Sequence, residues 1–301
     1  MQTENVVEAD KIVKSYDGVK AVNEISFAIP KKSIYGLLGP NGAGKTTMIR
    51  MMMRIILPDA GDIRIFGEPL DRVGKARIGY LPEERGLYKK MKVIEQLTFF
   101  GEIKHMDRKT ARDKAAGWLE RMSLSDFAER KAEDLSKGMQ QKLQFIATVL
   151  HEPDLLILDE PFSGLDPVNT NLLKDIILEY HNKGHTVVFS THMMDQVEKL
   201  CDNICLIDKG RVVLSGTLES VKKEYGQNGV TLRFDGDGSF LTELPAVESF
   251  NDYGNEVFLR LQPGADPGDV LDAARARLTV KKYEVAVPSI HDIFIEKVTS
   301  S

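Results

Sequence analysis

Two stretches of this sequence combine residue types at spacings that could do chemistry. The first is Gly39-Pro40-Asn41-Gly42-Ala43-Gly44-Lys45-Thr46-Thr47, which fits GxxxxGK[ST]. Glycines let such a loop turn its backbone N–H groups toward an anion, and a helix starting there adds the positive end of its dipole. Lys45 has the reach for β- and γ-phosphates, and the Thr46 hydroxyl suits Mg²⁺. An ordinary strand–helix turn would need neither side chain. The second stretch is Leu155-Leu156-Ile157-Leu158-Asp159-Glu160, an apolar strand ending in two carboxylates. Parallel sheets bind ligands at the carboxyl ends of their strands, which places these carboxylates near the phosphate loop. Asp159 fits a position at the Mg²⁺, as ligand or as support for its ligands. Glu160 fits a general base, or a polariser of the attacking water. Alone, the pair could be a solvated acidic turn; beside a phosphate loop it gains a purpose.

Regular elements must position these groups. Short alternating stretches in residues 1–35, such as Val22 to Ile29, predict antiparallel strands. The mostly apolar Ser33–Leu38 leads into the glycine-rich loop, and a helical pattern runs from Lys45 to Ile56, ending near Pro58. Gly61–Phe66 and Arg77–Leu81 predict further strands. Residues 91–150 form a helical block. Leu155–Leu158 and Thr186–Ser190 are apolar strands around a helix at about 168–182. Apolar strands alternating with helices imply a parallel sheet covered on both faces, an α/β fold. Ile204–Asp208 and Arg211–Ser215 predict a hairpin turning at Lys209-Gly210. A turn-rich break at Tyr225-Gly226-Gln227-Asn228-Gly229 separates residues 1–224 from 225–301. The latter predict a small α+β domain with strands at Val230–Phe234, Glu256–Leu261 and Val280–Val287, and helices at about 267–277 and 289–298.

Further groups follow in a fixed order. Leu135-Ser136-Lys137-Gly138-Met139-Gln140-Gln141-Lys142 opens a helix with Ser136 as N-cap. Ser163-Gly164-Leu165-Asp166 follows the acidic strand, and Ser190-Thr191-His192 ends the next one. Over residues 5–224 this order resembles the ATPase subunits of ATP-binding cassette (ABC) transporters. The resemblance implies a P-loop ABC ATPase fold, with a RecA-like parallel-sheet core, an antiparallel β subdomain and a helical subdomain at about 91–150. It makes 39–47 similar to the Walker A motif, 155–160 to Walker B, 135–140 to the LSGGQ signature, 163–166 to the D-loop carrying Asp166, and His192 to the switch histidine at the γ-phosphate. Tyr16 corresponds to the aromatic that stacks on adenine. ATP and Mg²⁺ are the implied cofactors. In this family two subunits pack head to tail, each ATP lying between one Walker A and the other's signature helix. Ser136, the Gly138 N–H and the helix N-terminus would supply the second set of donors. The implied partners are a second copy or a homologous ATPase subunit, and an integral membrane permease driven by opening and closing of the pair.

The sequence departs from the family pattern twice. The signature reads LSKGM: Lys137 replaces a glycine, adding charge toward the phosphate or facing solvent, and Met139 replaces Gln. Glu83 stands where the family has a Gln that senses Mg²⁺ and water; a carboxylate can ligate the metal but adds negative charge near ATP. Glu84 and Arg85 are suited to the membrane-subunit contact instead. The run Leu81 to Tyr88 resembles a branch of bacterial exporter ATPases that pair with separate ABC-2-type permeases, sodium exporters among them. Val287 to Phe294 is similar to the end of that branch's accessory domain.

Composition narrows the alternatives. At 301 residues, about two domains are expected. With 40 basic and 45 acidic residues there is no surplus for coating nucleic acid, and no direct nucleic-acid partner is expected. No apolar run exceeds four residues, against the roughly 20 of a spanning helix. The N-terminus lacks the basic and apolar segments of a secretory signal, so a cytoplasmic protein, peripheral on the membrane through its permease, is expected. Cys201 and Cys205 are too few for a disulfide framework and read as small buried residues rather than a metal half-site. A soluble ABC ATPase acting on DNA or the ribosome is the main rival. No sustained heptads lie between Lys45 and Ser136, however, and the chain carries one cassette. A P-loop GTPase is a weaker rival, because Asn182-Lys183-Gly184-His185 lacks the aspartate of NKxD. Residues 225–301 hold 7 Lys or Arg against 12 Asp or Glu, while the rest hold 33 of each sign. The acidic surplus thus belongs to the C-terminal part, which makes it a poor anchor for anionic lipid and a candidate regulatory or dimer contact.

Overall fold

A computed structural model describes residues 4–84, 86–224, 229–254, 256–262, 264–286 and 288–299. Arg85, residues 225–228 of the expected break, and Val287 lie outside them. Two antiparallel strands open the chain, β1 (Asn5–Tyr16) and β2 (Val19–Pro30). They turn at Asp17 and Gly18, both at positive φ, the mirror-image turn whose twist matches that of the strands. β3 (Ile34–Leu38) is buried at every position and runs through the phosphate loop into α1 (Lys45–Met52). That helix stops before the expected Ile56. Arg54 adopts a left-handed φ of 54°, and the N–H groups of Ile55 and Arg54 bond back to the Arg50 and Met51 carbonyls. This closure satisfies the last carbonyls and ends the helix. β4 (Ala60–Ile65) pairs with β1 and carries the short β5 (Glu68–Pro69), giving the sheet order β2-β1-β4-β5.

A second sheet continues with β6 (Ile78–Leu81), followed by a helical block of α2 (Val93–Ile103), α3 (Arg108–Arg121) and α4 (Lys137–Val149). The chain then alternates β7 (Leu155–Asp159), α5 (Pro167–Asn182), β8 (Thr186–Thr191), α6 (Met194–Leu200), β9 (Asn203–Asp208) and β10 (Arg211–Thr217). The strand order is β10-β9-β3-β8-β7-β6. Parallel pairing aligns the carboxyl ends: Leu38 lies beside Thr191, and Asp159 beside Ser190. The expected β9–β10 hairpin forms, with Lys209 and Gly210 at positive φ. One apolar core, including Ile12, Ile25, Met48, Ile157 and Val188, joins the antiparallel sheet, α1 and the parallel sheet. Cys201 and Cys205 are free and buried; burial pushes the Cys205 thiol up to about 12. Among the described residues no helix is long and apolar enough to cross a membrane.

The chain forms two units: Met1–Met193 with Leu200–Ser215, and Met194–Lys199 with Gly216–Ser301. The division falls at Ser215/Gly216, ahead of the break expected at 224. The reason is α7 (Leu218–Glu224): it buries Val221, and its Lys222 pairs with Glu198 of α6, inside the second unit. That unit adds β11 (Gly229–Asp235), β12 (Val247–Asp252), β13 (Val257–Leu261), α8 (Pro267–Arg277), β14 (Thr279–Ala286) and α9 (Ile290–Thr299). Its antiparallel sheet, ordered β12-β13-β11-β14, has its own core around Val230, Leu232, Leu259 and Val270. It is the expected α+β domain, with β12 as a strand the sequence did not announce.

His151, after α4, has Nε2 3.3 Å from the Ile78 carbonyl oxygen, while its Nδ1 is buried without a partner among the described residues. Burial, helped by the Lys104 cation, lowers its pKa to about 4. An unfolded histidine takes its proton near 6.5, so this group's stabilisation is complete above that pH. It is lost as pH falls through 4. Urea unfolding of a His151→Gln variant is expected to lose less stability than wild type between pH 6.5 and 4, by on the order of 2–3 kcal/mol. Parallel pH curves for the two proteins would contradict this.

Candidate functional site

The phosphate loop is built by close backbone approach. A Cβ at Gly39 (φ 146°) would lie 2.1 Å from the Ile207 carbonyl oxygen, and one at Gly44 (φ 109°) 2.4 Å from that of Ala21. No side chain fits at either position, so the loop closes against β9 and β2 only with glycine there. An open cleft of about 400 Å³ results, lined by Ala21, the loop residues Asn41, Gly42, Ala43, Gly44, Lys45, Thr46 and Thr47, and by Glu83 and Glu160. Lys45 is buried. Its Nζ donates to the carbonyls of Gly39 (2.8 Å) and Pro40 (3.0 Å) and lies 3.6 Å from Glu160 Oε1.

At the neighbouring strand ends, Asp159 is wholly buried. Its Oδ1 accepts from Ser190 Oγ at 2.5 Å and from Thr46 Oγ1 at 3.2 Å. Its Oδ2 is buried with no partner among the described residues. A buried, unpaired carboxylate oxygen beside a threonine hydroxyl is a hard oxygen donor set, which fits Mg²⁺. Burial, with the Asp159 charge next, raises the Tyr80 phenol to about 12. Glu160 adopts φ 47°, a left-handed conformation that costs a non-glycine residue about 1–3 kcal/mol and concentrates at functional sites. Its N–H donates to Ser190 Oγ at 3.0 Å. His192 Nδ1 lies 3.1 Å from Glu160 Oε1; a carboxylate only accepts, so the ring nitrogen carries the proton in this bond. Half of His192 is exposed, whereas Glu160 is nearly buried.

The fold therefore puts Lys45, Thr46, Glu83 and Glu160 in the lining of one cleft, with Asp159 bonded to Thr46 and His192 to Glu160 just behind it. Tyr16, Ser136, Gly138 and Asp166 lie outside its lining. Tyr16 is exposed at the tip of the β1–β2 hairpin, with Lys14 Nζ 5.8 Å from its ring centre. Ser136 caps α4 as expected, accepting the Met139 N–H at 3.3 Å. Lys137 is exposed, and the space around the Gly138 Cα is open. Asp166 caps α5; the Asn169 N–H, donated at 2.9 Å, holds its carboxyl below the usual range. Glu84 pairs with Arg50 at 3.8 Å, and Gln144 Nε2 donates to the Pro82 and Glu84 carbonyls, tethering the loop that carries Glu83. Sequence reasoning passed over Ser190 as a bridge between Asp159 and Glu160; its place at the end of the strand beside Walker B was the available signal.

Residues 22–163 match the ABC transporter family, and residues 216–298 match the C-terminal domain of DrrA1-3-like ATP-binding proteins. The ABC transporter ATP-binding protein YhaQ of Bacillus subtilis is 42% identical over 96% of this chain and 97% of its own. The daunorubicin/doxorubicin resistance ATP-binding protein DrrA of Streptomyces peucetius is 32% identical over 98% of this chain and 92% of its own. This chain belongs to the ABC transporter ATP-binding proteins. A solved ATP-binding subunit of an ABC transporter is similar to this ABC ATPase with a TM-score of 0.69 at 28% identity, over 73% of this chain and 93% of that one. The protein binds ATP and hydrolyses it, and the hydrolysis is coupled to transport. Removing the Lys45 ammonium from the cleft is expected to cut phosphate release by Lys45→Ala about 100-fold or more, with the melting temperature little changed. Turnover at the wild-type rate would contradict the role of this loop.

Proposed function

We propose that this ABC ATPase is the motor of an exporter, working as a head-to-tail pair around two ATP and driving a separate ABC-2-type membrane permease. The carrying observation is the split between the two sets of phosphate donors. Lys45, Thr46 and the loop N–H groups line the cleft, whereas Ser136 and Gly138 stand at an open helix N-terminus outside it. Donors of this kind are completed by a second subunit, either another copy or a homologous ATPase. ATP then joins the two surfaces, and its hydrolysis releases them.

Within one site Gly39 to Thr47 hold the phosphates, and Lys45 neutralises the β- and γ-phosphate oxygens. Glu160 Oε1 accepts a proton from, or orients, the attacking water. His192 steadies that oxygen through its Nδ1–H and reaches the γ-phosphate with the rest of its ring. Tyr16 stacks on adenine, and Asp166 serves the facing subunit's site. Thr46, Asp159 and Glu83 would hold Mg²⁺, which supplies charge neutralisation for the transferred phosphoryl group. The groove of about 290 Å³ lined by Pro82, Leu87, Phe100, Ile103 and Lys104, next to the Glu83–Glu84 loop, suits a permease segment. Arg85, the other residue suited to that contact, lies outside the described residues. The relative named for daunorubicin/doxorubicin resistance, and the DrrA1-3-like C-terminal domain, support export. The permease selects what is carried, sodium or a small organic molecule, and holds this subunit on the cytoplasmic face of the membrane. The acidic C-terminal domain is a regulatory or dimer contact, and no nucleic acid is involved.

Glu160→Gln is expected to hydrolyse ATP at least about 100-fold more slowly and to elute as a dimer in ATP and Mg²⁺. A variant that stays monomeric while still hydrolysing ATP would overturn the composite site. Affinity purification from membranes is expected to recover a multispanning protein with this subunit; recovery of nucleic acid or ribosomes instead would favour the soluble rival.

A further inference from the structure

Directly after His192 and Met193 the chain passes from the first unit into the second. Met194–Lys199, nearly all of α6, belongs to the second unit, and the chain returns at Leu200. A seven-residue helix is too short to hold itself together, since helix nucleation costs more than so few turns return. Whatever anchors α6 therefore holds a segment of chain that begins two residues after His192. Met194 and Val197 are buried, and the polar anchor is Glu198. Its Oε1 accepts the backbone N–H of Ile290 at 2.6 Å and lies 3.1 Å from Lys222 Nζ.

Ile290 opens α9, so its N–H is one of the donors a helix cannot satisfy internally. α9 already has a local cap. The Ser289 N–H and Oγ donate to Asp292 Oδ2 at 2.8 and 2.5 Å, and the Asp292 N–H returns to Ser289 Oγ at 3.1 Å. Glu198 adds a second carboxylate from 92 residues upstream. Its charge suits the positive end of the helix and is balanced by Lys222. One side chain thus ties α6 to both α7 and α9.

We infer that Glu198 is a positioning residue for ATP hydrolysis, acting through α6 to hold His192 Nδ1 at its 3.1 Å contact with Glu160 Oε1. It touches neither nucleotide nor reacting atoms. The C-terminal unit thereby helps to set the turnover rate, through the short stretch of chain between Glu198 and His192. The inference rests on the proposed role of His192 beside Glu160. The full-length chain is to be compared as wild type, Glu198→Ala, Glu198→Gln, His192→Ala and the Glu198→Ala/His192→Ala double variant. Glu198→Ala is expected to lower kcat about fivefold with KM for ATP within about twofold, because the phosphate loop is untouched. Glu198→Gln keeps an acceptor for the Ile290 N–H and is expected to return kcat to within about twofold of wild type. If Glu198 acts through His192, the double variant turns over no more slowly than His192→Ala alone. A Glu198→Ala variant at the wild-type rate, or one that loses the same factor with and without His192, overturns the inference while leaving the reading of His192 intact. Wild-type turnover by His192→Ala overturns that reading and the inference together.

Discussion

The buried carboxylate of Asp159 is the constraint around which the cleft is organised. A fully desolvated charge is costly unless hydrogen bonds replace its lost water, and here the donors come from separate chain segments. Thr46 supplies one hydroxyl from the start of α1 and Ser190 another from the end of β8. β3, β8 and β7 are neighbours in the sheet, so satisfying Asp159 Oδ1 also ties the start of α1 to the acidic strand. The same Ser190 oxygen takes the Glu160 N–H and so helps hold Glu160 in its unfavourable backbone conformation. The hydroxyl that stabilises one carboxylate aims the other.

The loop itself depends on absent side chains. Gly39 and Gly44 sit where a single methyl group would collide with the backbone of β9 or β2. The backbone N–H groups of this loop are therefore held by the packing of two sheets rather than by the loop alone. This explains why the antiparallel sheet, which carries none of the charged groups of the cleft, shares one core with α1 and the parallel sheet. The helical block offers the other kind of surface. Ser136 satisfies the first turn of α4, and the helix start around Gly138 remains open.

The C-terminal unit has a separate core and carries the acidic surplus of the chain. Its connection runs through α6 as well as through the obvious linker after β10. That routing leaves a single residue of chain, Met193, between the second unit and the residue that faces Glu160. Glu198 carries the tie because a carboxylate can serve a helix N-terminus and a lysine at once.

Sequence alone determined the parts whose chemistry is local. The phosphate loop, the Asp159–Glu160 strand end, the Ser136 cap and the apolar strands β3, β7 and β8 were legible because each is a short run whose spacing states its own geometry. The Lys209-Gly210 hairpin was legible for the same reason. Tertiary structure decided what depends on distant partners. β12 escaped notice because its positions are only half-buried and its pattern is weak. α1 ended early because Arg54 took the left-handed turn that closes the helix. The domain division moved because α7 and α6 are bound to each other by Lys222 and Glu198. The bridging role of Ser190, the closeness of Gly39 to Ile207, and the capping of α9 by Glu198 each join residues far apart in the chain. Periodicity and motif spacing encode what a segment does with its neighbours in sequence; only packing decides which buried donor meets which buried acceptor across the fold.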